Sequence, residues 1–383
     1  MHNFNENELI VYFILVFINL IFGVFAKNFV KNFIYRLLHR IFLILLIITM
    51  TYVVVISSEI PDYANYKLIY NSMNIYDAHM EPGYTLLETV GNNMGIPFNV
   101  FRGIIIACAF SLIVGTLIRI RTNISLVLSL YAICPYTLDV IQIRNFMALS
   151  LVTCAIFCLQ DSSIKGKIKY IAIILLAATF HIIALVYLCL LLLGGDFVNK
   201  FRRQIIITIF SLSFIFSILL RMNTSAIIGL GLMFFESNSG KSAYYVQGNV
   251  RLGYLYFLLN QLLFIAGDYF GLLSPMPKDS ETGQMSSKET FLYQNILWIN
   301  ILITCFFPLC MIHMDFSRLF RNMTLLNYIV LGVQLKKDNR TKTGLLSILF
   351  ILLGMALNFY LNMANTPETP ARVFFSMFGA SWK

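Results

Sequence analysis

The sequence predicts an all-α integral membrane protein that crosses the bilayer many times, and three observations support this fold class. The mean hydropathy is +0.77. Only 12% of the 383 residues are charged, which is about half the share of a soluble globular domain. Apolar runs of membrane-spanning length recur along the chain, so we expect about 10–12 transmembrane helices in a single polytopic domain over 1–383.

The predicted spans follow one another along the chain. The first apolar run, 9–26, follows an acidic rather than a basic segment, so we expect an uncleaved span with its N-terminus outside. The further predicted spans are 41–57, 101–118, 124–140, 146–160, 204–220, 254–273, 291–312, 324–335 and 343–363.

Basic residues set the predicted orientation, because membrane proteins retain Lys and Arg clusters on the cytoplasmic side. The sequence has a net charge of +10, and compact clusters contribute much of it. We therefore attribute the excess charge to the cytoplasmic face and not to a nucleic-acid partner. The clusters lie within 27–40, 119–121, 165–169, 200–203 and 336–342.

Segment 170–193 does not fit this orientation as an ordinary span. It lies between two basic clusters that both belong inside, so a single crossing would place one of them outside. Two full crossings need about 40 residues, and this segment has only 24. We therefore predict a broken or re-entrant helix pair that turns near His181, in a place where irregular backbone is buried in protein or lines a polar cavity.

The outer segment 57–100 is the first candidate part of a functional site. Tyr63, Tyr66 and Tyr70 recur at helical spacing and share one face of a predicted short helix, with Asp62 at its N-cap position. A face of this kind is typical of a membrane-interface belt. A platform on which sugar rings stack is the alternative, and the sequence leaves both open.

A second outer motif is Glu81-Pro82-Gly83-Tyr84. Proline is favoured at the first position of a helix, so Glu81 is a candidate helix cap. A capping carboxylate would still lie at the outer surface, where it remains available for chemistry.

Arg144 lies at the outer end of a predicted span, beside Gln142 and Asn145. A charge that enters membrane depth is costly and is usually functional. The alternative is an arginine that extends its guanidinium to the interface while its stem packs on apolar surface.

His181 stands alone in an apolar run. A lone histidine of this kind is commonly a packed core residue. Its position at the predicted turn of 170–193 favours a functional role.

Arg318 and Arg321 begin an outer helix three residues apart, so they can share one face. A pair of guanidinium groups suits the binding of a phosphate or diphosphate. A charged loop end with no ligand is the alternative.

Nothing in the sequence indicates a metal or a soluble cofactor. The seven cysteines lack a metal-binding spacing, and no phosphate-binding loop, dinucleotide fingerprint or serine elbow is present. We therefore expect any donor substrate to be lipid-borne and to reach the protein from the outer leaflet.

Five sequence motifs, taken in their order along the chain, resemble those of the EpsG family of exopolysaccharide, capsule and O-antigen polymerases, generally grouped as Wzy-type. The resemblance covers about 60–330, and the motifs are PDYANYKLIY, EPGYTLLETVGNNMG, QIRNFMALSLVTCAIF, KYIAIILLAATFHIIALVYL and DFSRLFRNM. It implies a metal-independent glycosyltransferase in the bacterial plasma membrane, with its active site facing outside. The donor would be a growing glycan on undecaprenyl diphosphate, and the acceptor a lipid-linked repeat unit.

The resemblance also gives the candidate residues their roles. His181 or Glu81 would act as the base, and Asp62 would orient that base or bind sugar. The remaining candidates would bind substrate, namely Arg144, Arg318 and Arg321 at the diphosphate and Tyr63, Tyr66 and Tyr84 at the sugars. A chain-length regulator and a flippase of the same pathway are the expected protein partners.

Two other classes remain open from the sequence. An O-antigen ligase, or another transferase of lipid-linked glycans or acyl groups, would use a similar membrane setting. A flippase or transporter is the other class, and it favours ionisable groups at mid-membrane and internal repeats. Asp268 lies inside a predicted span, toward its inner end, and no repeat is evident.

Overall fold

A computed structural model describes residues 6–29, 33–56, 63–72, 81–193, 200–222, 254–274, 287–312, 314–335 and 341–361. All regular elements within these ranges are helical. Five of the described helices are long and apolar enough to cross a membrane, and shorter apolar helices lie between them. The predicted fold class is confirmed: the chain is an all-α polytopic membrane protein.

The first helices are α1 (Glu6–Phe29), α2 (Phe33–Ile56), α3 (Tyr63–Ser72), α4 (Pro82–Asn93), α5 (Phe98–Ile120), α6 (Ile124–Ile133), α7 (Tyr136–Ile141), α8 (Ile143–Ile156) and α9 (Ile164–Phe180). A 3₁₀ segment, Ile182–Leu193, follows α9 and is called the return helix below. The later helices are α10 (Arg202–Met222), α11 (Tyr254–Leu273), α12 (Ser287–Thr304), α13 (Phe307–Ile312), α14 (Arg318–Arg321), α15 (Thr324–Leu335) and α16 (Lys342–Phe359).

The helices divide into a buried centre and an apolar periphery. Helices α6, α8 and α15 are buried on nearly all sides, whereas α2 and α16 expose many large apolar side chains. In a membrane protein, such exposed apolar faces contact lipid. The candidate site lies where short elements meet the ends of the central helices.

We expected a continuous span over 124–140, and the structure instead breaks the chain once inside this span and once just after it. Residues that precede proline are disfavoured in helical conformation, and Cys134, before Pro135, is extended with φ −162° and ψ 130°. A second break at Gln142, with φ −100° and ψ 56°, ends α7 and starts α8. These breaks place Arg144 in the first turn of α8.

The chain reverses at His181, as predicted. His181 is extended, with φ −155° and ψ 116°. The Tyr170 hydroxyl donates to the carbonyl oxygen of Tyr187 at 2.5 Å, although residues this far apart in one continuous helix are separated by about 25 Å. The return helix rises about 2.0 Å per residue, so its 12 residues run back roughly the length of α9.

This reversal makes a prediction for membrane topology. Single cysteines at Lys165 and Lys200, both exposed, should react with an impermeant maleimide from the same side of the membrane. The measurement requires a background in which the native cysteines are replaced. Gly166 is unsuitable as a labelling position, because an added Cβ would lie 2.9 Å from the carbonyl oxygen of Cys158. Labelling from opposite sides would show that 170–193 crosses the membrane once.

Candidate functional site

Four side chains from distant parts of the sequence form one continuous polar chain. Arg144 pairs with Glu81 through Nη1 and Oε2. The second carboxylate oxygen of Glu81 lies 3.5 Å from His181 Nδ1, and His181 Nε2 lies 3.0 Å from Arg318 Nη1. Exposures of 14–16% for these side chains mean that the cluster is sheltered but still reachable.

Glu81 reaches this cluster because it does not cap its own helix. It occupies the N-cap position of α4 with φ −63° and ψ 139°, and Pro82 follows at the start of the helix. The side chain makes no capping hydrogen bond, so the carboxylate extends across to Arg144 and His181. The capping interpretation of Glu81 is therefore wrong for its side chain.

Gly83 allows α4 to approach the end of α9 closely. A Cβ at Gly83 would lie 2.9 Å from Thr179 Cβ and 3.0 Å from the Thr179 carbonyl oxygen. Thr179 is two residues before His181, so this contact sets the separation between Glu81 and His181.

Gly83→Ala should therefore separate α4 from α9 and disrupt the Glu81–His181 contact. A displacement of about 1 Å at a reacting group can lower a reaction rate about 100-fold. We therefore expect the catalytic rate of the variant to be about 10–100-fold below that of the wild type. Gly115→Ala is the matched control, because nothing lies within 4 Å of a Cβ there. Equal activity of the two variants would contradict the proposed close approach.

Arg144 is fixed from two directions. Its Nε donates to the Tyr66 hydroxyl at 3.0 Å, and its guanidinium carbon lies 5.3 Å from the centre of the Tyr66 ring. Together with the Glu81 pair, these contacts hold the planar group in one orientation. Arginine suits such a site better than lysine because its donors have a fixed geometry.

The contacts of His181 define its tautomer. Arginine has donors only, so Nε2 must accept the hydrogen bond from Arg318. The proton of the neutral imidazole then lies on Nδ1, on the side of Glu81. The carboxylate of Glu81 thus lies beside one nitrogen of the imidazole, and the other nitrogen presents its lone pair to Arg318.

Arg318 and Arg321 do not act as one pair. Arg318 also contacts Asp315, with 3.3 Å between Nη2 and Oδ2. Arg321 instead reaches Gln142 at 2.5 Å and Asp139 at 3.5 Å. Arg321 thereby joins α14 to the break between α7 and α8, and Arg318 alone of the two enters the polar chain around His181.

A reciprocal amide pair reinforces the same junction. Asn145 donates to Asn322 at 3.0 Å, and Asn322 donates back at 3.2 Å. Asn145 follows Arg144, and Asn322 is the C-cap residue of α14. The pair therefore fixes the position of Arg144 relative to that of Arg318.

The predicted sugar-binding tyrosines differ in their surroundings. Tyr66 touches Arg144, whereas Tyr63 donates to Asn99 and lies against the buried Arg102 guanidinium at 5.1 Å. Tyr84 is only 1% exposed, so its ring offers no open face for a sugar in this conformation. The N-cap candidate Asp62 lies outside the described residues.

Glu88 is a feature of the site that our sequence analysis did not select. It lies on the same face of α4 as Tyr84 and is 4% exposed. One carboxylate oxygen, Oε1, has no hydrogen-bond partner. Helical periodicity from Glu81 through Tyr84 to Glu88 was the signal that could have identified it. Because α4 is not among the candidate membrane-spanning helices, the carboxyl group can titrate with the aqueous solution.

Burial raises the pKa of Glu88 to about 7, while Arg144 acts in the opposite direction. In the unfolded chain the group titrates near its ordinary value of 4.5. Between these pH values the folded state holds a proton that the unfolded state has lost, so stability falls as pH rises. The melting temperature should decrease from pH 5 to pH 7.5, and Glu88→Gln should remove part of that decrease. An unchanged pH profile in Glu88→Gln would contradict the buried state of this carboxyl group.

Among the described side chains, no three His, Cys, Asp or Glu residues form a group that could hold a metal ion. The expectation that no cofactor takes part stays a prediction. The cluster offers instead two guanidinium groups, one carboxylate and one oriented imidazole, which are the groups needed for anion binding and proton transfer.

The fold and site define an all-α multi-pass membrane protein with a charged cluster at the ends of its central helices. The EpsG family model matches residues 40–370, and the chain belongs to the EpsG family. No curated protein and no solved structure matches it. Membership of this family indicates a glycosyltransferase-like polymerase role of the Wzy type.

Proposed function

We propose that the protein is a polysaccharide polymerase of the bacterial plasma membrane. It transfers a growing glycan from undecaprenyl diphosphate onto a lipid-linked repeat unit at the outer face. The observation that carries this proposal is the continuous contact chain from Arg144 through Glu81 and His181 to Arg318. The charge pattern of the sequence supports the outer location of these residues.

Arg144 and Arg318 are the proposed diphosphate ligands. Both reach the cluster and are partly accessible, and guanidinium groups form strong charge-assisted bonds to phosphate oxygens. Arg321 supports the site by position, because Asp139 and Gln142 already hold its guanidinium. The chain-length regulator and the flippase remain proposed partners.

His181 is the proposed general base, and Glu81 its positioning residue. Arg318 donates a hydrogen bond to Nε2 in the structure. Diphosphate binding draws Arg318 toward the phosphate oxygens and leaves the Nε2 lone pair free for the acceptor hydroxyl. Glu81 then stabilises the imidazolium that forms, in the manner of other carboxylate–histidine pairs.

The transfer step forms one glycosidic bond and breaks the bond between the donor glycan and its diphosphate. The acceptor hydroxyl gives its proton to His181 Nε2, and its oxygen forms a bond with the anomeric carbon of the donor glycan. The bond between that carbon and the diphosphate oxygen breaks, and the electron pair leaves with undecaprenyl diphosphate. Arg144 and Arg318 stabilise the added negative charge. Asp62 and the accessible tyrosine Tyr66 are the proposed sugar contacts.

Analysis of lipid-linked glycans in a deletion strain tests this function. We expect single repeat units on lipid to accumulate at the outer leaflet, and the wild-type chain to restore long polymer. Accumulation only at the inner leaflet would indicate a flippase and would contradict the proposal. Normal polymer that fails only to reach its final acceptor would indicate a ligase.

A further inference from the structure

A second buried polar cluster lies in the membrane-spanning part of the molecule, on elements that carry none of the residues above. Its centre is Asp268 of α11, which is 1% exposed. An ionised carboxylate away from water is costly unless a positive charge or several hydrogen bonds compensate it. In the part of the chain that the structure describes, no Lys, Arg or His forms an ion pair with Asp268.

Side-chain amides from three helices form a hydrogen-bonded network that includes this carboxylate. Asn300 of α12 donates to Asp268 Oδ2 at 2.6 Å and to Asn327 Oδ1 of α15 at 2.8 Å. Gln261, two turns before Asp268 on α11, donates to Asn300 Oδ1 at 3.1 Å. The Asn300 side chain thus joins Gln261, Asp268 and Asn327 in one network.

Several polar atoms of this region are buried without a hydrogen-bond partner. The acceptors among them are Asp268 Oδ1, Gln261 Oε1 and Gln334 Oε1, and the donors are Asn327 Nδ2 and the Ser347 hydroxyl. Gln334 belongs to the same region, because its Nε2 lies 3.3 Å from the carbonyl oxygen of Gly271, one turn after Asp268. Among these groups only the Asp268 carboxyl carries a charge when it is ionised, so the partner that the network lacks is a positive charge beside this carboxylate.

An alkali cation satisfies these requirements. Hard cations prefer carboxylate and carbonyl oxygens over nitrogen or sulfur. A single positive charge neutralises the one carboxylate, whereas a divalent ion would leave a net charge inside the membrane. We propose that Asp268 and Gln261, within this network, bind one monovalent alkali cation that stabilises the packing of α11 against α12 and α15.

Thermal unfolding of the purified full-length protein tests this site. The melting temperature would be measured at constant ionic strength in NaCl, KCl and choline chloride. For the wild type we expect Na⁺ or K⁺ to raise it by at least about 3 °C over choline, with saturation. Asp268→Asn should remove the difference between salts. Asp161→Asn, the same change at an exposed position, should retain it.

Gln261→Met provides a second test if Asp268→Asn does not fold. It keeps the length of the side chain and removes the amide oxygen, so a higher cation concentration should be needed for half of the shift. Equal wild-type melting temperatures in the three salts would overturn the proposal. A response to pH between 6 and 8 that Asp268→Asn abolishes, without a response to salt, would show a proton at this position and would also overturn it.

Discussion

Replacement of Arg144 by alanine should abolish long polymer and leave single lipid-linked repeat units. The residue contacts both Glu81 and Tyr66 and is a proposed ligand of the leaving diphosphate. Removal of one group that stabilises developing negative charge typically lowers a rate about 100–1,000-fold. Arg144→Lys retains the charge but loses the planar guanidinium with its fixed N–H donors, so we expect polymer formation to remain severely impaired. Glycan chain length in complemented deletion strains is the measurement.

Arg119→Ala is the matched control for this prediction. It removes the same charge from an exposed position near the end of α5, and chain length should remain normal at equal protein level. Long chains in Arg144→Ala would show that the proposed role of this arginine is wrong.

Replacement of His181 by alanine should lower kcat about 100–10,000-fold, the range for loss of a general base. The KM for the lipid-linked donor should change little, because the two arginines bind the diphosphate. Glu81→Gln should also reduce kcat, since the amide orients the imidazole poorly and cannot stabilise its charged form. Steady-state kinetics of the purified variants would measure both parameters.

The double variant distinguishes a positioning role of Glu81 from an independent one. If Glu81 acts through His181, adding Glu81→Gln to His181→Ala should cause little further loss of kcat. Multiplicative losses would show that Glu81 acts independently, either as the base itself or through Arg144. Full activity in His181→Ala would exclude the histidine as base.

Much of the fold could be predicted from the sequence because hydropathy and charge act locally. Apolar runs identified the long helices, and the conflict between two basic clusters indicated the reversal at His181. Charge placement also assigned Glu81, Arg144 and Arg318 to the same side of the membrane. These predictions required no knowledge of which helices are neighbours.

Pairwise contacts in the site could not be predicted, because they depend on packing between distant segments. Glu81 and Arg144 are 63 positions apart. The contact between Glu81 and His181 requires the close approach of α4 to α9 that Gly83 allows. Arg321 is equivalent to Arg318 by spacing, yet Asp139, 182 positions away, holds its guanidinium at a different place. Burial of Tyr84 likewise follows from packing against Tyr66 and Phe101, which helical spacing alone does not specify.

The proposed polymerase activity can be measured by reconstitution of the purified chain in liposomes with one defined lipid-linked repeat unit. We expect a ladder of lipid-linked products that differ by one repeat unit, together with release of one undecaprenyl diphosphate for each bond formed. Arg144→Ala in the same liposomes should yield single units only. If the wild-type protein is folded and binds the lipid but yields only single units, the proposed polymerase function is wrong.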